Sequence, residues 1–131
     1  MIEVGAARVF HALHQLVNDG DAGSQTHEHD HDYRVEAVVR GTALPESGML
    51  LDLDELHAAL AECLDELDRA DLDALPMFEG RATTVEIVAD HVWHHLGGRI
   101  RESGSAALES LRVTVFESPD AWASVDRRLD G

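Results

Sequence analysis

Lysine is absent from this chain, cysteine occurs once, proline three times, and aromatic residues make up 5% of its 131 positions. Each shortage excludes something. A single cysteine, Cys63, rules out an internal disulfide framework and a CxxC metal knuckle, and its place on the apolar stripe of a predicted helix reads as a small buried hydrophobe. No apolar run approaches the roughly 20 residues that span a bilayer. The start, Met1-Ile2-Glu3-Val4-Gly5, carries no basic segment ahead of an apolar one, so a soluble, cytoplasmic protein is expected. With no lysine, the ten basic residues are all arginine; they face 26 acidic residues, and the formal net charge is −16. That balance argues against nucleic acid and anionic membrane as partners, while a negative surface serves solubility whatever the chemistry. The length fits one domain over 1–131, with a real core but a site that a neighbouring subunit could help complete.

What the chain does have is histidine. The run His27-Glu28-His29-Asp30-His31-Asp32-Tyr33 leads into the alternating Val35, Ala37 and Val39. On a strand, positions i and i+2 share a face about 7 Å apart, so His29 and His31 can converge on one ion from a rigid element, pointing inward with Tyr33 and Val35. Phe10, Ala12 and His14 share parity in a second strand-like stretch and add a third imidazole. The competing reading is a solvated, acidic, His-rich loop that binds metal only adventitiously.

The apolar pattern predicts strands over about 2–16 and 31–41, a turn at Pro45-Glu46-Ser47-Gly48 and a short strand at 49–51. Two helices and two further strands follow. The first helix carries Leu56, Leu60, Cys63, Leu64 and Leu67 and opens with Asp52 and Glu55 at capping-box spacing. The second carries Val85, Val88, Ala89, Val92 and Leu96, opens with Thr83 and Glu86, and is expected to end at Gly97-Gly98. Leu111, Val113, Val115 and Glu117 then alternate with Arg112, Thr114 and Phe116, and Trp122 to Val125 suit a short edge strand. His91 and His95 lie at i, i+4 and could bind metal in principle. With His94 near the helix C-terminus, they are expected to form a wet face favoured by the helix dipole, and His57 is expected to be exposed.

Several ordered blocks from Phe10 to Glu117 resemble the 6-pyruvoyl-tetrahydropterin synthase and 6-carboxytetrahydropterin synthase family. Phe10-His11-Ala12-Leu13-His14 resembles its first zinc-ligand block, His29-Asp30-His31-Asp32-Tyr33 its His-Gly-His-Asn-Tyr block, and Gly48-Met49-Leu50-Leu51-Asp52 its Gly-Met-x-x-Asp-Phe turn. Leu67 to Asp73 stands where the family has Leu-Asp-His-x-x-Leu-Asn. Thr84-Val85-Glu86 with Ala89 matches Pro-Thr-x-Glu-Asn-x-Ala, and Glu117-Ser118 matches a strand-ending Glu-Thr. The resemblance implies an α+β tunnelling fold of ββααββ order, an antiparallel four-stranded sheet with two helices on one face. It also implies trimers stacked into a hexamer with interfacial sites, Zn2+ held by His14, His29 and His31, and Glu117 anchoring a pterin ring. An inward carboxylate at a strand end is costly unless it meets a bidentate donor or, alternatively, an arginine.

The departures bear on activity. The family's catalytic cysteine falls at Gln25 and its catalytic histidine at Arg69, so of the relay only Asp68 remains. Replacement acid/base candidates are Asp68, His27, Glu28 and Asp30. Substrate contacts are expected from Glu117, Gln25, Arg69, Thr84 and Glu86, the last equally explained as a capping residue. The expected function is a zinc-dependent lyase or cyclase acting on a pterin or another small hydroxylated or carbonyl substrate, with a non-standard acid/base set. The alternative is a non-catalytic zinc-binding homologue serving as a ligand-binding or structural module.

Overall fold

The computed structural model describes residues 1–13, 32–103 and 107–129 with their side chains, and residues 14–16 and 27–31 by backbone alone. Strands β1 (Ile2–Leu16) and β2 (His27–Gly41) precede helix α1 (Leu53–Asp65); two 3-10 turns (Leu72–Ala74 and Pro76–Phe78) lead to helix α2 (Val85–Glu102), and β3 (Leu108–Ser118) and β4 (Ala121–Arg128) complete the sheet. The strands lie in the order β1-β2-β3-β4, each antiparallel to the next. This is the predicted α+β order, with both helices on one face.

Period-2 alternation sets that face. Phe10 and Ala12 of β1, Tyr33, Val35, Ala37 and Val39 of β2, and Leu111, Val113 and Val115 of β3 are all buried. Sliding any strand by one residue would turn this set out to water, so burial locks the register. The helices cover it with Leu56, Leu60, Cys63 and Leu64 of α1 and Val88, Val92, Trp93, Leu96 and Ile100 of α2. The indole Nε1 of Trp93 donates to the Leu111 carbonyl at 2.7 Å, tying α2 to β3 inside the core. The opposite face is open, with Val9 and Trp122 more than half exposed.

Several boundaries differ from the sequence reading. β2 begins at His27 rather than near residue 31, because β1 offers a partner down to Leu16↔His27. Residues 49–51 form no strand: after the turn closed by Gly48 N–H to the Pro45 carbonyl, Leu50 and Leu51 plug the end of the core. Asp52 caps α1 through the Asp54 N–H, as its position suggested. The cap of α2 is Thr84, which accepts from the Ile87 N–H, while Thr83 is buried against Asp73. Gly97-Gly98 do not end α2. Ile100 extends the buried stripe a further turn, and Gly97 sits where an added Cβ would lie 3.3 Å from the Trp93 ring. Gly41 is likewise fixed by close approach, since a Cβ there would collide with the Ala107 carbonyl oxygen. β4 runs to Arg128, longer than expected. Among the described residues no helix is long and apolar enough to cross a membrane.

Candidate functional site

The chemistry-bearing blocks meet at one end of the sheet, where β1 finishes, β2 starts and β3 reaches Glu117. The ladder pairs His14 with His29 and Ala12 with His31. Directly opposed residues share a face, with Cβ atoms about 4.5–5.5 Å apart, and His31 follows His29 by one period. Register therefore assigns residues 14, 29 and 31 to one face, the face that buries Phe10, Ala12, Tyr33 and Val35. The side chains of His14, His27, Glu28, His29, Asp30 and His31 lie outside the described residues, as does Gln25 altogether. Among the described residues no three His, Cys, Asp or Glu side chains are gathered to hold a metal.

The segment after α1 clamps the edge of β1 beside this ladder. Arg69 N–H donates to the His11 carbonyl, Leu13 N–H to the Ala70 carbonyl at 3.0 Å, and Leu13 bridges Asp71 in parallel. Asp68 Oδ1 accepts the His11 N–H at 3.0 Å, so its carboxylate is fixed at the strand edge and exposed to solvent. Arg69 has φ +61°, a left-handed conformation uncommon for a residue with a Cβ, held here by its bond to β1. On the open face His11 Nδ1 lies 2.7 Å from Asp32 Oδ1. His11 has parity opposite to His14, so this pair does not share a face with the ladder histidines.

A second group forms behind the first. Tyr33 is fully buried and stacks on Phe10 at 4.8 Å between ring centroids. Burial, then the carboxylates of Glu117 and Asp73, push its hydroxyl well above the ordinary tyrosine range, so it stays protonated. Asp73 in turn accepts the Thr83 hydroxyl at 3.0 Å. The β3–β4 register shifts between Phe116 and Ser118, leaving Glu117 in a bulge, a feature that re-aims a side chain. Among the described residues no arginine lies within ion-pair distance of Glu117. Thr84 is spent as the helix cap, and Glu86 is exposed in the first turn of α2. Sequence reasoning missed Tyr33, Thr83 and Asp73 as members of this group. Their signal was positional: Tyr33 ends the histidine block, and Asp73 ends the Leu-Asp block.

The histidines of α2 also need correction. His94 is exposed as expected, but His91 and His95 are only partly exposed, with both Nε2 atoms buried and without hydrogen bonds. His91 packs edge-on to Phe78 at 5.4 Å, and Glu62 of α1 approaches His95. The stripe flanking the apolar one is covered because α1 and the turn at Phe78 close over it. Cys63 is buried, and its thiol is pushed up to about 12 by burial and then by Glu66 and Glu62, as an inert core residue should be.

A family model described as 6-pyruvoyl tetrahydropterin synthase matches residues 3–128. The chain belongs to that family. A 6-pyruvoyl tetrahydrobiopterin synthase of Poecilia reticulata is 34% identical over 70 residues, covering 52% of this chain and 48% of that protein. The chain thus spans about half the length of that curated relative. Among solved structures, Caenorhabditis elegans 6-pyruvoyl tetrahydropterin synthase superposes with a TM-score of 0.79 at 23% identity, covering 96% of this chain and 95% of that one. A Plasmodium vivax 6-pyruvoyltetrahydropterin synthase carrying cysteine in place of a catalytic glutamate gives 0.81 at 17% identity, covering 97% and 98%. At these identities the structural matches establish the fold, a four-stranded antiparallel sheet with two helices.

Proposed function

We propose that this chain is a zinc-dependent lyase or cyclase acting on a pterin or a related small hydroxylated or carbonyl substrate, with an acid/base set of its own. The observation that carries the reading is the register that sets His14 opposite His29 and His31 opposite Ala12 on one face. Three imidazoles on two paired strands fit a catalytic zinc, which keeps a fourth position open. His14, His29 and His31 would hold the ion, and bound there it would supply Lewis-acid polarisation of a substrate oxygen.

This chain's own groups supply the rest. Glu117, aimed by its bulge and neighboured by the protonated Tyr33, suits the amine and amide edge of a pterin ring, accepting two N–H bonds. Thr84 and Glu86 at the start of α2, with Gln25 and Arg69, are the further groups read as contacting the substrate. Proton transfer falls to a carboxylate or imidazole: Asp68 at the edge of β1 and His27, which shares the parity of His29 and His31, ahead of Glu28 and Asp30, whose parity is opposite. That the Plasmodium vivax relative has a catalytic glutamate supports a carboxylate in the acid/base role.

The assembly is read as a trimer-based hexamer with interfacial sites. The far edge of β4, which has no strand beside it among the described residues, and the open face, which exposes Val9 and Trp122, support it. Light scattering should return a multiple of the 14.3 kDa chain; a monomer at micromolar concentration would defeat the interfacial reading.

The deciding experiment pairs metal analysis with turnover of dihydroneopterin triphosphate and other pterins. A strand-site zinc in each chain, lost on His29→Ala or His31→Ala, with turnover abolished by Asp68→Ala or His27→Gln, is expected. Zinc without turnover of any pterin, unchanged by restoring Gln25→Cys and Arg69→His, would favour the binding module.

A further inference from the structure

Away from the sheet end, α1 and α2 face each other across a pair of glutamates and a pair of histidines. Glu62 and Glu66 stand four residues apart at the end of α1, and His91 and His95 stand four apart on α2. His95 Nε2 is 3.8 Å from Glu62 Oε1. One turn further along each helix stand Glu66 and His91. Residues at i and i+4 project from one side of a helix with Cβ atoms about 5–6 Å apart, so both rings enter the same inter-helix space. Both Nε2 atoms are buried there without a hydrogen-bond partner. Buried polar atoms are nearly always paired, so two orphans on neighbouring rings call for a partner. Hydrophobic packing does not supply it, because Leu, Val or Phe would fill the same space without stranding two nitrogens.

We propose that His91 and His95 form a second metal site, two Nε2 donors chelating a borderline divalent transition ion such as zinc, with Glu62 as the third donor. Imidazole pairs prefer zinc, nickel or copper, whereas calcium and magnesium take oxygen-rich sets. A metal-binding imidazole must be neutral. The 3.8 Å between His95 and Glu62 exceeds the roughly 3.3 Å between two ligands of one tetrahedral zinc, a gap closed by rotation of the glutamate. Arg99 competes for that glutamate, its Nη2 lying 3.1 Å from Oε2. The site is therefore a two-point chelate whose third arm is shared with an arginine, consistent with no three-ligand group being gathered already among the described residues.

The test uses the full-length protein, stripped with chelator and titrated with Zn2+ by calorimetry and with Co2+ by visible absorption, circular dichroism confirming the fold of each variant. The wild type should bind two equivalents. His29→Ala/His31→Ala should keep one, and His91→Gln/His95→Gln should keep the other. Because even groups behind the ligands of a metal site shift affinity by about 10–100-fold, loss of a ligand in His95→Gln should weaken the helix site at least tenfold, and Glu62→Gln severalfold. Arg99→Ala, which frees Glu62, should tighten it, a change that a merely structural role would not produce. If the wild type binds one equivalent and the helix double variant abolishes it, the inference holds while the strand-site reading fails. If stoichiometry and affinity ignore His91, His95, Glu62 and Arg99 alike, or the residual binding is only millimolar and indifferent to them, the inference is overturned.

Discussion

The strand histidines and the α2 histidines have the same side chain at short, regular spacing, yet different forces place them. His14, His29 and His31 are positioned by a ladder whose register is locked by the buried stripe of Phe10, Ala12, Tyr33 and Val35. His91 and His95 owe their shared side to helical period alone, and their burial to what α1 lays over them. A strand site is thus as rigid as the sheet, whereas a helix site depends on how tightly two helices stay docked. Changes in the sheet and in the helix layer should separate the two.

The largest separation should come from the ligands. His31→Ala should cost the strand site at least about 100-fold in zinc affinity and leave the stability of the metal-free fold nearly unchanged, as chelator competition and melting would show. Leu96→Ala, under α2, should destabilise the protein by about 2–5 kcal/mol in denaturant titration. It should loosen the helix pair and spare the strand metal; equal loss from both sites would break the contrast. Trp93→Phe removes the indole N–H from the buried Leu111 carbonyl and should cost about 1–3 kcal/mol, again confined to the helix layer.

A smaller effect follows from pH. Because His91 titrates below 6.5 in the fold, the unfolded chain takes up its proton first as pH falls. Its contribution to stability is complete above about pH 6.5, declines as pH drops below that value, and levels off once the folded protein is protonated too. Chelator-treated protein melted between pH 7.5 and 5 should show this decline, and His91→Gln should flatten it relative to the wild type. The smallest change should be Asp32→Asn on the open face. The His11–Asp32 pair is 48% and 75% exposed, so its loss should cost less than about 1 kcal/mol and leave both metal sites intact. A large loss of zinc there would mean that the two faces of the sheet are coupled.

Much of this was legible in the sequence because the relevant forces are local. Alternation of Tyr33, Val35, Ala37 and Val39 gave a strand and its inward face, and the stripe from Leu56 to Leu64 gave α1. The misreadings came where a local signal met a tertiary one. Thr83 and Thr84 are equally good caps by composition, and the choice fell to Thr84 because Asp73 takes the Thr83 hydroxyl. Gly97-Gly98 look like a stop, but the Trp93 ring needs the missing Cβ and Ile100 still has core to cover. His91 and His95 look wet on a helical wheel, which carries no record of the helix packed alongside.

Composition, period and block order by themselves determined the fold class, the inward face and the identity of the candidate ligands, since side-chain direction on a strand or helix follows from backbone geometry. Tertiary structure alone decided which residues those elements bring together: His14 opposite His29, Asp68 on the edge of β1, Tyr33 within the field of Glu117 and Asp73, and Glu62 against His95. Those juxtapositions depend on loop closure and on packing between elements far apart in the chain, and no local spacing encodes the distance across a core.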